Sequence, residues 1–460
     1  MDCFVINSKN IKTRFDPLYL RNIAYVNNIK SKYPLTPLGK LLKEPPQYGA
    51  NETAIEGNKE KDIRYIRITD IDGFGNLKPE EWKTAQTTDK KYLLNENDIL
   101  FARSGATAGK TFIYKNGFGK AIFAGYLIRF RFDETKVNPL FVFYYTQLQR
   151  YALWVKSIQR PSGQPNINSG EFKAFEIPLP PLETQNRIVS IMHTAYEQKE
   201  QKEQEAEKLL SSIDDFVLNE LGIELPELND KKCYTVNSEA IGERVDPYYY
   251  QPKFKRLYEA IKRYKKMVYL KDIVEELDYG LMPTQDYALT EDEGVPMIRV
   301  TNILQNGSID MSDVKYIPFN TPRLDLKRIK ENDVLMVQCG STTGKIAIVP
   351  KEYENYTFGS FSFVIRGVKK IVSQHYLFAI LLSSLVQEQI KHTWNIVTVR
   401  PNTSKPNVEN LLIPLPSLDM QNKIADEVKK RMSEAEKLKS EADSVVEKAK
   451  QEVEIIILGK

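Results

Sequence analysis

The chain has 460 residues, of which 42% are hydrophobic and 27% charged, and this composition is typical of a globular protein with more than one domain. The longest purely aliphatic run covers only residues 455–458, so we expect neither a membrane span nor a signal peptide. Three cysteines without a Cys-x-x-Cys spacing and three scattered histidines favour a reducing, cytoplasmic compartment and make a metal site improbable.

The net charge of +4 at pH 7 is unevenly distributed along the chain. Residues 182–222 carry −5 and residues 418–460 carry −1, which leaves +10 on the remaining residues. A basic bias of this size fits a nucleic-acid-binding surface, although a solvated lysine-rich face would give the same value.

The N-terminal segment is the first half of a repeat. Residues 3–20 (CFVINSKNIKTRFDPLYL) match residues 233–250 (CYTVNSEAIGERVDPYYY) at eight of eighteen positions without a gap. In each copy an Asp-Pro pair, Asp16-Pro17 and Asp246-Pro247, predicts a helix start, because aspartate caps a helix and proline is accepted in its first turn. The adenine methyltransferase motif Asp-Pro-Pro-Tyr needs a second proline, which neither copy has, and no glycine-rich cofactor turn lies nearby.

Further motifs recur in the same order in both halves of the chain. The matched segments are residues 65–71 with 297–303, 95–110 with 330–345, 160–167 with 400–408, and 177–188 with 413–424. The intervening runs are rich in β-branched and aromatic residues, which predicts short strands, and helices are expected near residues 139–155 and 375–391. Each copy is therefore predicted to be an α+β domain.

Two long helices are predicted after the Ile-Pro-Leu-Pro motifs, because about forty residues almost free of glycine and proline follow each motif. Steps of four and three residues give a heptad seam in each helix, and one offset of 236 maps the first seam onto the second. The predicted seam residues are Ile188, Met192, Ala195, Ala206, Leu209, Ile213 and Phe216, then Ile424, Val428, Ala435, Leu438, Ala442, Val445 and Ala449. Polar residues such as Lys199 interrupt both seams, and an ordinary pair of domain-packing helices is the alternative to a rod about 60 Å long.

This pattern predicts five segments. They are a first domain over residues 1–181, a central helix over 182–222, a linker over 223–232, a second domain over 233–417 and a C-terminal helix over 418–460.

A glycine-rich loop in each copy is the first candidate site. Only three residues separate Gly105 from Gly109, and Ile346 stands where a nucleotide-binding loop needs a hydroxyl, so a nucleoside triphosphatase is improbable. Such a loop can still offer amides, hydroxyls and a lysine to a DNA phosphate, or it can be a plain tight turn. Its candidate DNA-binding residues are Arg103, Ser104, Thr107 and Lys110, then Gln338, Ser341, Thr342, Thr343 and Lys345.

The loops that begin at Arg160 and Arg400 are the second candidate site. Arginine pairs with guanine and glutamine or asparagine with adenine in the major groove, although a polar loop beside a strand would have a similar composition. The candidates are Arg160, Ser162, Gln164 and Asn166, then Arg400, Asn402, Thr403, Ser404 and Lys405, and Tyr48 and Tyr279 complete the set.

The ordered, duplicated set of motifs resembles the DNA specificity subunit of a type I restriction–modification system. The resemblance rests on the Arg-x-Asp-Pro entries, the Asn-Asp-Ile/Val-Leu strands with their Gly-x-x-x-Gly-Lys loops, and the Ile-Pro-Leu-Pro exits. It implies two target-recognition domains with mixed β-sheets, each reading one half of a split DNA site. It also implies that the long helices form an antiparallel coiled coil with pseudo-two-fold symmetry.

The same resemblance implies the partners. Two methyltransferase subunits would bind S-adenosylmethionine, restriction (motor–nuclease) subunits would bind ATP and Mg²⁺, and this chain would be non-catalytic, without a cofactor or metal, in a prokaryotic cytoplasm. Two other functions stay open at this stage: a self-sufficient DNA adenine methyltransferase, and a coiled-coil scaffold with two protein-binding heads.

Overall fold

The computed structural model describes residues 31–72, 75, 77–78, 82–86, 88–105, 107–158, 165–242, 244–264, 266–283, 286–368, 370–394 and 401–459. The described chain forms two compact units. Unit 1 contains the described residues up to Gln201 together with those from Glu441 onward, and unit 2 contains the described residues from Lys202 to Ser440. Each of the two long helices therefore contributes residues to both units.

Unit 1 is built on short strands. They are β1 (Leu35–Pro37), β2 (Gln47–Tyr48), β3 (Ala54–Glu56), β4 (Arg64–Ile66), β5 (Lys83–Ala85), β6 (Ile99–Ala102), β7 (Thr111–Ile113), β8 (Ala121–Phe123), β9 (Leu127–Phe130) and β10 (Glu176–Pro178). A four-stranded antiparallel sheet has the order β2-β9-β6-β7. β4 and β8 pair in parallel, whereas β1–β10 and β3–β5 are antiparallel pairs.

Unit 2 repeats this arrangement. Its strands are β11 (Met267–Tyr269), β12 (Val274–Tyr279), β13 (Gly294–Ile298), β14 (Lys315–Pro318), β15 (Val334–Val337), β16 (Ile346–Ile348), β17 (Thr357–Phe358), β18 (Ser362–Gly367) and β19 (Leu412–Pro414). The four-stranded sheet has the order β12-β18-β15-β16, β13 pairs in parallel with β17, and β11 pairs with β19. The predicted duplication of an α+β domain with mixed sheets is confirmed.

Four helices of the first copy recur in the second. In chain order they are α1 (Pro139–Tyr145), α2 (Gln149–Ile158), α3 (Ser169–Ala174), α4 (Leu182–Leu221), α5 (Pro252–Ile261), α6 (Gln374–Leu382), α7 (Ser384–Thr393), α8 (Lys405–Glu409) and α9 (Leu418–Leu458). The single helices predicted near residues 139–155 and 375–391 are wrong, since each is two helices. The hydroxyls of Thr146 and Ser383 donate to the carbonyls of Phe143 and Ile380 and thereby help to end α1 and α6.

The Asn-Asp pair that precedes a central strand in each unit has a structural role. Asn97 and Asn332 adopt positive φ angles of 69° and 67°, which asparagine tolerates better than most residues. The buried carboxylates that follow them accept from arginine at 2.7 Å in both units, Asp98 from Arg131 and Asp333 from Arg366. The motif therefore fixes the start of β6 and β15.

The entry to unit 2 explains the Arg-x-Asp-Pro motif. Asp246 accepts from the Tyr249 amide at 3.0 Å and caps the short 3₁₀ helix Pro247–Tyr250, which precedes α5. Arg244 pairs with Asp246 at 2.8 Å and donates to the Trp394 carbonyl at 2.6 Å. Asp246-Pro247 therefore starts a helix, as predicted for this copy. The equivalent Asp16-Pro17 lies outside the described residues.

A buried glutamine anchors the start of each long helix. Gln185 accepts from the Asn138 amide at 2.8 Å and donates to the Pro180 carbonyl at 2.8 Å. Gln421 makes the corresponding bonds to Ser373 and Pro416, at 2.9 and 3.0 Å. Both glutamines are 1% exposed. Their bonds tie the start of α4 to the start of α1, and the start of α9 to the start of α6.

Within each unit, α4 and α9 run antiparallel. In unit 1 the Nζ of Lys199 lies 2.5 Å from Asp443. Burial raises the pKa of Tyr196, earlier in α4, and the nearby charge of Glu447, later in α9, adds to this effect. In unit 2 Arg431 donates to Ser212 at 2.9 Å, and Lys423 pairs with Glu220 at 2.6 Å. The predicted antiparallel orientation is therefore confirmed.

The buried face of the helices corrects part of the predicted seam. Ile188, Met192, Ala195, Ala206, Ile213, Ile424, Val428, Ala435, Ala442 and Ala449 are buried. The side chains of Leu209, Phe216, Leu438 and Val445 are only half-buried, whereas Val217, Val446 and Val453 are buried instead. The predicted series drifts off the buried face along the helices because 3.6 residues per turn does not match a strict 3.5-residue repeat. The described helices include none that is both long and apolar enough to cross a bilayer.

Candidate nucleic-acid interface

Two loops that the sequence singled out separately are joined by backbone hydrogen bonds in unit 1. The amide of Gly105 donates to the Pro165 carbonyl at 3.0 Å, and the amide of Ile167 donates to the Arg103 carbonyl at 2.7 Å. In unit 2 Gly340 donates to Pro401 and Thr403 donates to Gln338, both at 3.0 Å. The same backbone frame therefore occurs in both units.

This frame corrects the alignment of the second loop. The motif comparison matched Arg160 with Arg400, but the bridges Ser104–Asn166 and Cys339–Asn402 match Asn166 with Asn402. That correspondence has the offset of 236 that also relates the long helices. The backbone bonds anchor the loop at its Pro-Asn pair, so Gln164, not Arg160, is the counterpart of Arg400. Arg160, Ser162, Gln164 and Arg400 themselves lie outside the described residues, and their role in DNA binding stays a prediction.

A polar cluster lies on the frame of unit 1. The Nε of Arg103 donates to Asn166 Oδ1 at 3.3 Å, and its guanidinium lies 5.0 Å from the ring centroid of Tyr48. The Tyr48 hydroxyl in turn donates to Ser169 Oγ at 3.3 Å. Tyr48 is 38% exposed and Asn166 is exposed, so the cluster faces solvent. Among the described residues, the side-chain hydrogen bond of Arg103 is made by its Nε, and the terminal nitrogens of a guanidinium can pair with a bidentate acceptor.

The corresponding cluster in unit 2 has different side chains. Gln338 takes the place of Arg103 and donates to the Ser360 carbonyl at 3.4 Å. Tyr279 takes the place of Tyr48, is 37% exposed and packs on Phe363 with ring centroids 4.7 Å apart. Lys405 takes the place of Ser169 and lies 3.9 Å from Glu409. The two frames thus present different hydrogen-bonding groups.

Two of the predicted DNA contacts have hydroxyls that are buried and used within the frame, and their contact with DNA stays a prediction. Thr343 is 8% exposed and donates to the carbonyls of Gly340 and Pro401, at 2.8 and 2.9 Å. Thr403 is 3% exposed and its hydroxyl pairs with that of Thr393 at 2.8 Å. Both hydroxyls help to hold the loops together.

The loop lysines also have structural contacts. Lys110 donates to the Ile71 carbonyl at 3.1 Å, and Lys345 donates to the corresponding carbonyl of Ile303 at 3.4 Å. Burial lowers the pKa of Lys110, and the nearby charge of Asp72 opposes that effect. Their contact with a DNA phosphate stays a prediction, as it does for the other loop residues. Of these, Ser341 and Ser404 are exposed, and Ser104, Thr107, Thr342, Asn402 and Lys405 are half-buried.

The sequence comparison missed two exposed aromatic residues beside the frames. Tyr126, between β8 and β9, is 66% exposed, and Phe361, between β17 and β18, is 54% exposed. The amide of Arg103 donates to the Tyr126 carbonyl, and that of Gln338 donates to the Phe361 carbonyl, both at 2.9 Å. The offset of 235 that relates the glycine-rich loops also relates these two positions. This offset could have identified the two aromatic residues from the sequence.

The described residues include no group of three or more His, Cys, Asp or Glu side chains that could hold a metal ion. What the fold does bring together, twice, is a set of aromatic, amide and cationic side chains on a hydrogen-bonded backbone frame. A duplicated recognition scaffold of this kind defines a class of nucleic-acid-reading proteins.

Comparison of the sequence with models of protein families identifies the family. The model of the type I restriction modification DNA specificity domain matches residues 48–211 and 263–442, so this chain belongs to that family and contains the domain twice. This assignment favours the recognition function over the self-sufficient methyltransferase and the scaffold.

Several individual proteins are similar to this chain. The chain is 24% identical over 396 residues to the type I restriction enzyme MjaVIII specificity subunit of Methanocaldococcus jannaschii, a match that covers 82% of each. It is 28% identical over 158 residues to the EcoKI specificity subunit of Escherichia coli, covering 34% of this chain and 33% of that one. The crystal structure of the type I S subunit from M. genitalium covers 94% of this chain and 97% of its own, with 14% identity and a TM-score of 0.45.

Proposed function

We propose that this chain reads a bipartite DNA sequence as the non-catalytic specificity subunit of a type I restriction–modification complex, with unit 1 and unit 2 each reading one half-site. The observation that carries the proposal is the shared frame with different side chains. The Gly105–Pro165 and Gly340–Pro401 hydrogen bonds are both 3.0 Å long, so the backbone frame is the same. The side chain on that frame is Arg103 in unit 1 and Gln338 in unit 2.

The difference has a chemical consequence for the DNA sequence. An arginine fork matches the O6 and N7 acceptors of guanine, and a glutamine amide matches N6 and N7 of adenine. Two identical frames with these two readers would select different bases, so the complete site would be asymmetric. The charge of +10 outside the two helix segments would supply the sequence-independent attraction to phosphates.

The chemistry of the complex would belong to the partners. Two methyltransferase subunits would bind S-adenosylmethionine, and restriction subunits would bind ATP and Mg²⁺. The sequence supports this division, because Leu18 and Tyr248 replace the second proline of the methyltransferase motif and the Gly105–Gly109 spacing does not match a nucleotide-binding loop.

The experiment is a methyl-transfer assay with labelled S-adenosylmethionine and genomic DNA from a strain that lacks the system. Transfer is expected when the chain is combined with its methyltransferase subunits and not with either component alone. Methyl transfer by the purified chain alone would overturn the proposal and restore the self-sufficient enzyme. Binding to DNA should also weaken steeply with salt, whereas a protein-binding scaffold would show no such dependence.

A further inference from the structure

Tyr126 and Phe361 are solvent-exposed aromatic residues at corresponding positions of the two units. Their exposed fractions, 66% and 54%, are high for aromatic residues only three positions after buried strand residues, Phe123 and Phe358, both at most 1% exposed. A single exposed ring needs no explanation, but an exposed ring at the corresponding position of both units indicates a function.

The backbone that carries each ring is fixed. In unit 1 Leu127 donates to the Ala124 carbonyl at 2.8 Å, and Gly125 donates to Ala50 at 2.7 Å. The corresponding bonds close the turn of unit 2, where Ser362 donates to Gly359 at 3.0 Å and Ser360 to Leu281 at 2.9 Å. Each ring therefore stands on a tight turn that is tied down on two sides.

Each ring also stands beside the residue proposed to read a base. Ala102 and Leu127 are the last paired residues of β6 and β9, and Arg103 and Tyr126 continue that register. In unit 2 Val337 pairs with Ser362, and Gln338 and Phe361 continue it. Side chains of directly opposed residues lie on the same face of an antiparallel pair, so ring and reader face the same ligand.

We propose that Tyr126 and Phe361 each insert a ring into the base stack of their own half-site. This inference rests on the proposed function. A methyltransferase partner has to turn its target base out of the duplex, and an aromatic side chain that stacks on the neighbouring bases lowers the cost of that opening. One ring per unit provides this help once in each half-site.

The test uses the full chain assembled with its methyltransferase subunits. The probes are duplexes of the methylated sequence in which single adenines are replaced by 2-aminopurine, whose fluorescence rises when it unstacks. Wild-type complex should raise the fluorescence several-fold at one position in each half-site. Tyr126→Ala should abolish the rise in one half-site only, and Phe361→Ala in the other only.

Two further variants make the result specific. Tyr126→Phe keeps the ring and should keep the signal. Phe319→Ala removes a ring that is 58% exposed in unit 2 but does not belong to the frame, and it should change neither half-site. Methylation of the adenine in the affected half-site should fall about tenfold in each alanine variant, while the other half-site keeps its rate.

The outcomes separate the inference from the proposed function. If both alanine variants retain the full fluorescence rise while the complex still binds its sequence, the rings do not stack and only the inference is overturned. If the wild-type complex shows no preference for any DNA sequence, the proposed function fails as well.

Discussion

The Nε of Arg103 donates to Oδ1 of Asn166 across a distance of 3.3 Å, and this bond joins two loops that lie sixty-three residues apart in the chain. With Tyr48 against the guanidinium, the side chain is oriented before any ligand arrives. Preorganisation of this kind reduces the conformational entropy lost on binding.

Arg103→Ala should relax the choice of one base in one half-site. The loss of a bidentate arginine–guanine pair reduces discrimination at that base by about 1–3 kcal/mol, and the other half-site should be unaffected. Competition binding with singly substituted duplexes measures the change. Lys136→Ala, which removes a lysine of a surface ion pair with Asp133, is the matched control and should change no base preference. A loss spread evenly over both half-sites would contradict the assignment of Arg103 to base reading.

Gln421→Leu should destabilise unit 2. The substitution leaves the amide of the half-buried Ser373 without the side-chain acceptor that now lies 2.9 Å away, and such a loss costs about 1–3 kcal/mol. Urea unfolding measures the difference in free energy of unfolding. Asn422→Leu, at the next and exposed position of α9, should stay within about 0.5 kcal/mol of wild type. Equal effects of the two substitutions would show that Gln421 does not anchor the helix.

The duplication and the long helices could be predicted from sequence because they depend on local order. Motifs repeated in the same succession fix a two-fold architecture, and a glycine-free run with a constant offset of 236 fixes two equivalent helices. The break between α1 and α2 could not be predicted in the same way. At this break the Thr146 hydroxyl donates to the Phe143 carbonyl at 2.6 Å and also bonds to Thr111 of β7 at 2.7 Å, and the second bond is a tertiary contact with no local signature.

The candidate site was predictable in part for a similar reason. The glycine-rich loop marked Arg103 and the polar loop that begins at Arg160 marked Asn166, and the structure brings the two residues together. Composition alone could not separate Thr343, whose hydroxyl holds the frame, from the exposed Ser341 two residues earlier. Tyr126 and Phe361 were missed because an aromatic residue beside a strand predicts core, and only the closed turns turn these rings outward.

The stability of unit 2 should depend on pH through His392. The imidazole stacks on Tyr249 with ring centroids 4.2 Å apart, and burial lowers the pKa of His392 to about 4. In the unfolded chain its pKa is about 6.5, so between these values the unfolded chain binds the additional proton. The free energy of unfolding should therefore fall as pH drops from about 6.5 to 4, by at most about 1.4 kcal/mol per pH unit from this residue.

Urea unfolding at pH 7 and pH 5 measures the effect. The difference between the two pH values should shrink in His392→Gln. It should be unchanged in His193→Gln, whose wild-type side chain is 64% exposed. Identical pH dependence in wild type and His392→Gln would exclude His392 as the source.

Insertion of one heptad into both α4 and α9 should lengthen the unread gap between the half-sites. Seven residues extend a helix by about 10.5 Å, which corresponds to about three base pairs of DNA. The bases read in each half should be unchanged, because the insertion lies outside both frames. Methylation mapping of the variant shows the gap directly, and an unaltered gap would exclude the helices as the spacer.

The most direct test of bipartite recognition is to replace residues 1–181 with the corresponding domain of another specificity subunit and to map methylated adenines across the host genome. The account predicts a new sequence in one half-site and the original sequence in the other. Replacement of both halves together, or retention of the complete original site, would contradict it.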